Sequence, residues 1–242
     1  MSDAIKLLFF ITILEGLSSS FGGLIGASIK AKSKNMIACL FELSAGMMTA
    51  IVCFSMLPES FNIASIWYGI MGVIIGVAII YFLDKKIENS NDKNNIKKMS
   101  NTSLIIIIAM AGHNIMEGIA VGAGTSYSIT LGVTIILSIF LHNIPEGMIV
   151  GITMKLENKK FFDIIKYSAL VGMPTGIGAF LGNIVGSVSN EYVAISLSLS
   201  AGAMLYIVAC DLIPSSKNMS QNKKVSMVYI LGIILGILAT RI

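Results

Sequence analysis

The sequence predicts an all-α integral membrane protein of eight transmembrane helices. An inverted repeat relates helices 1–3 to helices 6–8 around a central helix 4/5 pair. Three observations predict it. Mean hydropathy is +0.84, with 55% hydrophobic and 12% charged residues, against about 25% charged in a soluble domain. Basic residues gather in every second polar break. One segment of the chain recurs at a constant offset.

The apolar stretches cover 4–29, 36–57, 64–83, 102–124, 129–154, 161–187, 192–213 and 225–241, each near the roughly 20 residues that cross a bilayer core. The first is long and lacks a small-residue cleavage site, so it reads as a retained span and not a leader. The breaks at 30–35, 84–101, 155–160 and 214–224, with Lys166 just beyond the third of these, hold fifteen of the seventeen basic residues. Those at 58–63, 125–128 and 188–191 hold none, and Lys6 and Arg241 fall at the termini. The positive-inside rule then makes the basic face cytoplasmic and puts both termini outside, in the plasma membrane. Eight buried helices of a soluble protein would give no reason for this alternation. The 84–101 segment, Lys/Asn-rich and free of histidine, reads as a solvated cytoplasmic loop. Cys39, Cys53 and Cys210 form no metal or disulfide spacing.

LSAGMMTAIVCFSMLPES (43–60) aligns with LSAGAMLYIVACDLIPSS (199–216) at nine of eighteen positions, an offset of 156. The same offset pairs Gly16 with Gly172, Gly22 with Gly178, Gly26 with Gly182 and Gly76 with Gly232. Five helices of displacement reverse the second copy across the membrane. The chain therefore reads as one polytopic domain, 1–242: repeat one at 4–83, the loop 84–101, site helices at 102–154, and repeat two at 161–241. Such repeats are common in secondary transporters, whose sites lie near the midplane. Small-residue spacing alone explains the glycines, but less well the shared LSAG and proline.

HNIMEGIAVG (113–122) and HNIPEGMIVG (142–151) agree at seven of ten positions and contain both histidines of the chain. Residues four apart share a helix face, so His113 points with Glu117 and His142 with Glu146. Asn114 and Asn143 lie beside them. Each histidine is roughly 15 Å into its helix, near the midplane of a core about 30 Å thick. Two antiparallel helices can bring both pairs to one depth, as a His₂Glu₂ cluster. Imidazole and carboxylate suit Zn²⁺ and other first-row divalent cations. A lone histidine in an apolar helix is better read as a packing hydrogen bond; a doubled motif points to metal. Pro145 removes a donor for the Leu141 carbonyl and is expected to kink its helix. Glu59 is a candidate entry acid, and Asp84 and Asp211 are candidate release acids, each against the plainer reading of an interfacial charge. Glu15, deep in helix 1, either lines the pathway or pairs with a polar neighbour.

The paired HNxxEG and HNxPEG motifs resemble the ZIP (Zrt/Irt-like) metal transporters. So do the eight spans, the loop after helix 3, and the proline-ended helices 2 and 7. The resemblance covers the whole chain. It implies uptake of divalent metal into the cytoplasm, chiefly Zn²⁺, with Fe²⁺, Mn²⁺ and Cd²⁺ as further candidates. It implies helices 1, 4, 5 and 6 moving against 2, 3, 7 and 8, and a homodimer. By position the main site is His113, Glu117, His142 and Glu146. A second metal in the family uses Asn114, the position of Asn143, and a glutamate before the helix-6 proline. That last position is Met173 here, and Asn143 stands where some members have aspartate. The resemblance therefore predicts one metal, or a second bound weakly. Met116 replaces the family's usual proline, so helix 4 is expected to be straighter than helix 5.

The metal is expected as transported substrate, with no prosthetic group, and nucleic acid is not an expected partner. A membrane-embedded metalloenzyme or a metal sensor using the same residues is the alternative. The sequence has no HExxH for the first, no soluble signalling domain for the second, and no GxxxxGK[ST] for ATP-driven transport.

Overall fold

The first helix sorts its own residues. Phe9, Phe10, Ile13, Leu17 and Phe21 are exposed, whereas Glu15, Ser18 and Ser19 are fully buried. An apolar outside around a polar inside is the reverse of a water-soluble protein, and it is the arrangement a bilayer requires. The computed structural model describes residues 2–29, 34–90 and 102–241, with side chains for 5–29, 34–85 and 110–241. Residues 91–101, most of the expected loop, and Lys30 and Lys32 lie outside the described residues.

Eight helices follow in order among the described residues: α1 (Ser2–Ser28), α2 (Lys34–Ile63), α3 (Ile66–Ser90), α4 (Thr102–Tyr127), α5 (Ile129–Leu156), α6 (Phe161–Gly186), α7 (Asn190–Met219) and α8 (Lys223–Ala239). Six of them (α1, α2, α3, α5, α6 and α7) are long and apolar enough to cross a membrane. Helix α8 has 17 residues, a length of about 26 Å.

Two expected helix ends move. Helices α2 and α7 continue through Pro58 and Pro214 instead of stopping before them. The physical reason is a π-turn ahead of each proline, Val52–Met56 and Val208–Leu212. The Leu57 N–H bonds to the Val52 carbonyl and the Ile213 N–H to that of Val208. The wider turn accommodates the missing proline donor and the ring without ending the helix. Residues 84–90, read from the sequence as the start of a loop, extend α3. Helix α5 runs unbroken through Pro145. Helix α6 instead carries an irregular turn at Met173, ahead of Pro174.

Glycines set the crossings. A Cβ on Gly22 would stand 2.2 Å from the Ile144 carbonyl oxygen, and one on Gly178 would stand 2.0 Å from that of Ile115. Only glycine permits such backbone approach. Helix α1 thus lies on α5, and α6 on α4. Gly46 of α2 meets α8 at Tyr229, and Gly202 of α7 meets α3 at Val73, just as closely. Between these sets, the Ser200 hydroxyl of α7 donates to the Met116 carbonyl of α4 at 2.6 Å. The Ser60 hydroxyl donates to Ala194 O at 2.8 Å, and that of Ser216 to Ala38 O at 3.3 Å.

Candidate metal centre

Helices α4 and α5 each carry one histidine and one glutamate a turn apart, and all four side chains are buried, His113 at 6% exposure and the others at 0%. The four pair across the helices. His113 Nε2 lies 3.2 Å from both carboxylate oxygens of Glu146, and His142 Nε2 lies 3.0 Å from Glu117 Oε1. Within α5, His142 Nε2 and Glu146 Oε1 are 3.9 Å apart. Ligand atoms of His113, Glu117 and Glu146 all fall within 4.8 Å of one another, a grouping that could hold a metal ion. His142 joins them through both glutamates.

The surrounding helices add oxygen atoms. The Ser44 hydroxyl of α2 donates to Glu146 Oε1 at 3.3 Å. Asn114 Nδ2 donates to the Val171 carbonyl of α6 at 2.6 Å, and Asn143 Nδ2 donates to Glu15 Oε2 of α1 at 2.9 Å. With their amides so engaged, both asparagine Oδ1 atoms remain without a hydrogen-bond partner among the described residues, as do Glu117 Oε2 and His142 Nδ1. Met173 is 39% exposed, and its Cγ faces Gly16 of α1.

The acids named for entry and release are not among the grouped ligands. Glu59 is half-buried near the end of α2. Asp84 Oδ2 accepts from the Tyr206 hydroxyl at 2.9 Å. Asp211 is exposed. Sequence reasoning missed Ser44, although the LSAG shared by the two copies pointed to it. It also missed Glu42, which is 2% exposed. Glu42 Oε1 lies 3.1 Å from Lys217 Nζ and accepts from the Ser216 hydroxyl at 2.9 Å. An acid in an apolar stretch was the signal available.

A polar cluster of imidazoles and carboxylates, enclosed by helices whose outer faces are apolar, defines a multi-pass membrane protein built to handle cations. Comparison with known proteins agrees. The family model described as ZIP Zinc transporter matches residues 83–241. The chain is 26% identical over 258 residues to "Zinc transporter ZupT" of Streptococcus mutans, covering 98% of this chain and 96% of that protein. It is 27% identical over 252 residues to the protein of the same name from Clostridium perfringens, covering 88% of each. The chain belongs to the ZIP zinc transporter family, a family of transporters and not of enzymes.

Proposed function

We propose that this protein carries divalent metal ions, zinc foremost, into the cytoplasm by alternating access through a site made by His113, Glu117, His142 and Glu146, with Asn114 and Asn143 beside it. Fe²⁺, Mn²⁺ and Cd²⁺ are further candidate substrates. One observation carries the reading: the crossed His113–Glu146 and His142–Glu117 contacts, fully enclosed in an apolar bundle. Buried ionisable groups in a membrane are costly and mark ion pathways. Nitrogen and oxygen donors without thiolate bind zinc and still release it. An arriving ion exchanges with the His–Glu contacts, and the Ser44 hydroxyl steadies Glu146. Glu59 serves entry, and Asp84 and Asp211 serve release.

The chain is read as a single polytopic domain, 1–242, containing an inverted repeat. The support is contact for contact. Gly22 on Ile144 corresponds to Gly178 on Ile115, and Gly46 on Tyr229 to Gly202 on Val73. The Ser60–Ala194 bond corresponds to Ser216–Ala38, and the two π-turns correspond to each other. In every case the first- and second-repeat residues differ by the same 156 positions. One packing scheme used in two opposed directions gives two states of similar energy, which alternating access needs. The moving group is α1, α4, α5 and α6. The positive-inside rule supports extracytoplasmic termini in the plasma membrane, and the family resemblance supports a homodimer.

Uptake into proteoliposomes tests the proposal, with zinc first and then cadmium, iron and manganese. Wild type is expected to accumulate zinc, and Glu146→Ala to lose at least nine-tenths of the rate. Equal uptake by the two would remove His₂Glu₂ as the transport site.

A further inference from the structure

Helix α2 carries a buried acid that the proposed transport site does not use. Glu42 is 2% exposed, and its Oε1 takes two partners from the end of α7. They are the Ser216 hydroxyl at 2.9 Å and the Lys217 ammonium at 3.1 Å. Lys217 Nζ also donates to the Ser226 hydroxyl of α8. One ion pair thus ties three helices together. Two residues further along α2, the Ser44 hydroxyl donates to Glu146 Oε1 of α5.

The offset of 156 supplies a comparison within the molecule. It pairs Ser44 with Ser200, Glu42 with Ser198 and Lys217 with Phe61. The Ser198 hydroxyl bonds back to its own helix, at the Ala194 and Ile195 carbonyls, and the Phe61 ring packs on Gly69 of α3. In that copy the LSAG serine, Ser200, donates to a main-chain carbonyl, that of Met116. The LSAG serine therefore reaches a carboxylate of the metal cluster in the copy that has the ion pair. In the copy without it, the serine reaches only backbone. Buried ionic groups are best attested as setters of register, because a misplaced partner leaves an uncompensated charge. On α2, register decides where Ser44 stands.

We propose that Glu42 and Lys217 are positioning residues for metal binding: their ion pair fixes the register of α2, so that Ser44 meets Glu146 and holds its carboxylate in place. This rests on the proposed main site. Neither residue is among the grouped ligands; both act through Ser44.

The test is zinc uptake by the full-length protein in proteoliposomes, read as KM and as maximal rate per monodisperse chain. Lys217→Met is expected to raise KM about fivefold or more and to change the maximal rate less than twofold, the mark of weakened binding. Ser44→Ala is expected to raise KM as much. The double variant is expected to go no further than Ser44→Ala alone, because both changes act through one contact. A purely structural pair would lower yield or melting temperature and leave KM unchanged. If Lys217→Met does not yield monodisperse protein, Glu42→Gln, which still accepts from Ser216, decides in its place. An unchanged KM in Lys217→Met or in Ser44→Ala, or effects that multiply in the double variant, would overturn the proposal. Uptake that survives Glu146→Ala would instead overturn the main site, a separate result.

Discussion

Helices α1 and α6 meet the central pair in the same way and bring different chemistry to it. Each is crossed at a glycine, Gly22 on α5 and Gly178 on α4, with backbones in contact. Yet α1 is an unbroken helix with an acid at its middle, whereas α6 is interrupted at Met173, whose thioether is partly exposed. The frame is set by small residues and is common to both. The charge is set by single positions and is not. Packing can therefore be retained while the side chains brought to the centre differ.

The largest effect would come from breaking the common frame. Gly22→Leu and Gly178→Leu each drive a side chain into a carbonyl that even a Cβ would hit. Overpacking of this kind costs about 3 kcal/mol or more when backbone must move. Both variants are expected to lose the monodisperse peak in size-exclusion chromatography, equally for the two helices. A tolerant Gly178→Leu beside an intolerant Gly22→Leu would break the equivalence.

A middle-sized effect should separate the two helices. Asn143→Ala removes the donor to the buried Glu15 carboxylate of α1, whereas Asn114→Ala removes a bond to a neutral carbonyl of α6. Leaving a buried polar group unsatisfied costs about 1–3 kcal/mol, and Asn143→Ala leaves both Glu15 oxygens without a partner among the described residues. Thermal unfolding in detergent should therefore show the larger loss for Asn143→Ala. Equal losses would mean that the Glu15 carboxyl finds another partner once Asn143 is removed.

The smallest effect serves as a control on α4. Gly112 has open space where its Cβ would go, so Gly112→Ala is expected to stabilise by about 0.5–1 kcal/mol through helix propensity. A higher melting temperature with zinc uptake unchanged would show that glycine matters at the crossings and not throughout the bundle.

Much of this was legible in the sequence because it depends on local period. The eight apolar stretches, the offset glycines and the doubled HNxxEG all follow from helix geometry. What escaped depends on neighbours. Pro58 and Pro214 read as helix ends, since the π-turns that carry each helix past its proline leave no mark on hydropathy. Turn geometry puts His113 with Glu117 on one face but cannot show that His113 contacts Glu146 of the next helix. The role of Glu15 stayed open between pathway and partner because its surroundings come from α5 and α6, over a hundred positions away. Glu42 was passed over because its partner Lys217 lies at the far end of the chain.

The crossed His–Glu contacts have one further consequence. Folding has already stripped water from all four donors and set them within reach of one another. A cation entering the proposed site would therefore meet ligands already desolvated by burial, with few rotamers left to freeze. The remaining costs are the ion's own dehydration and the His–Glu contacts it must replace. On that reading, grip on the ion depends on the helix packing that holds the four side chains together as well as on the ligands themselves. Loosening the helix crossings should weaken that grip before any ligand is touched.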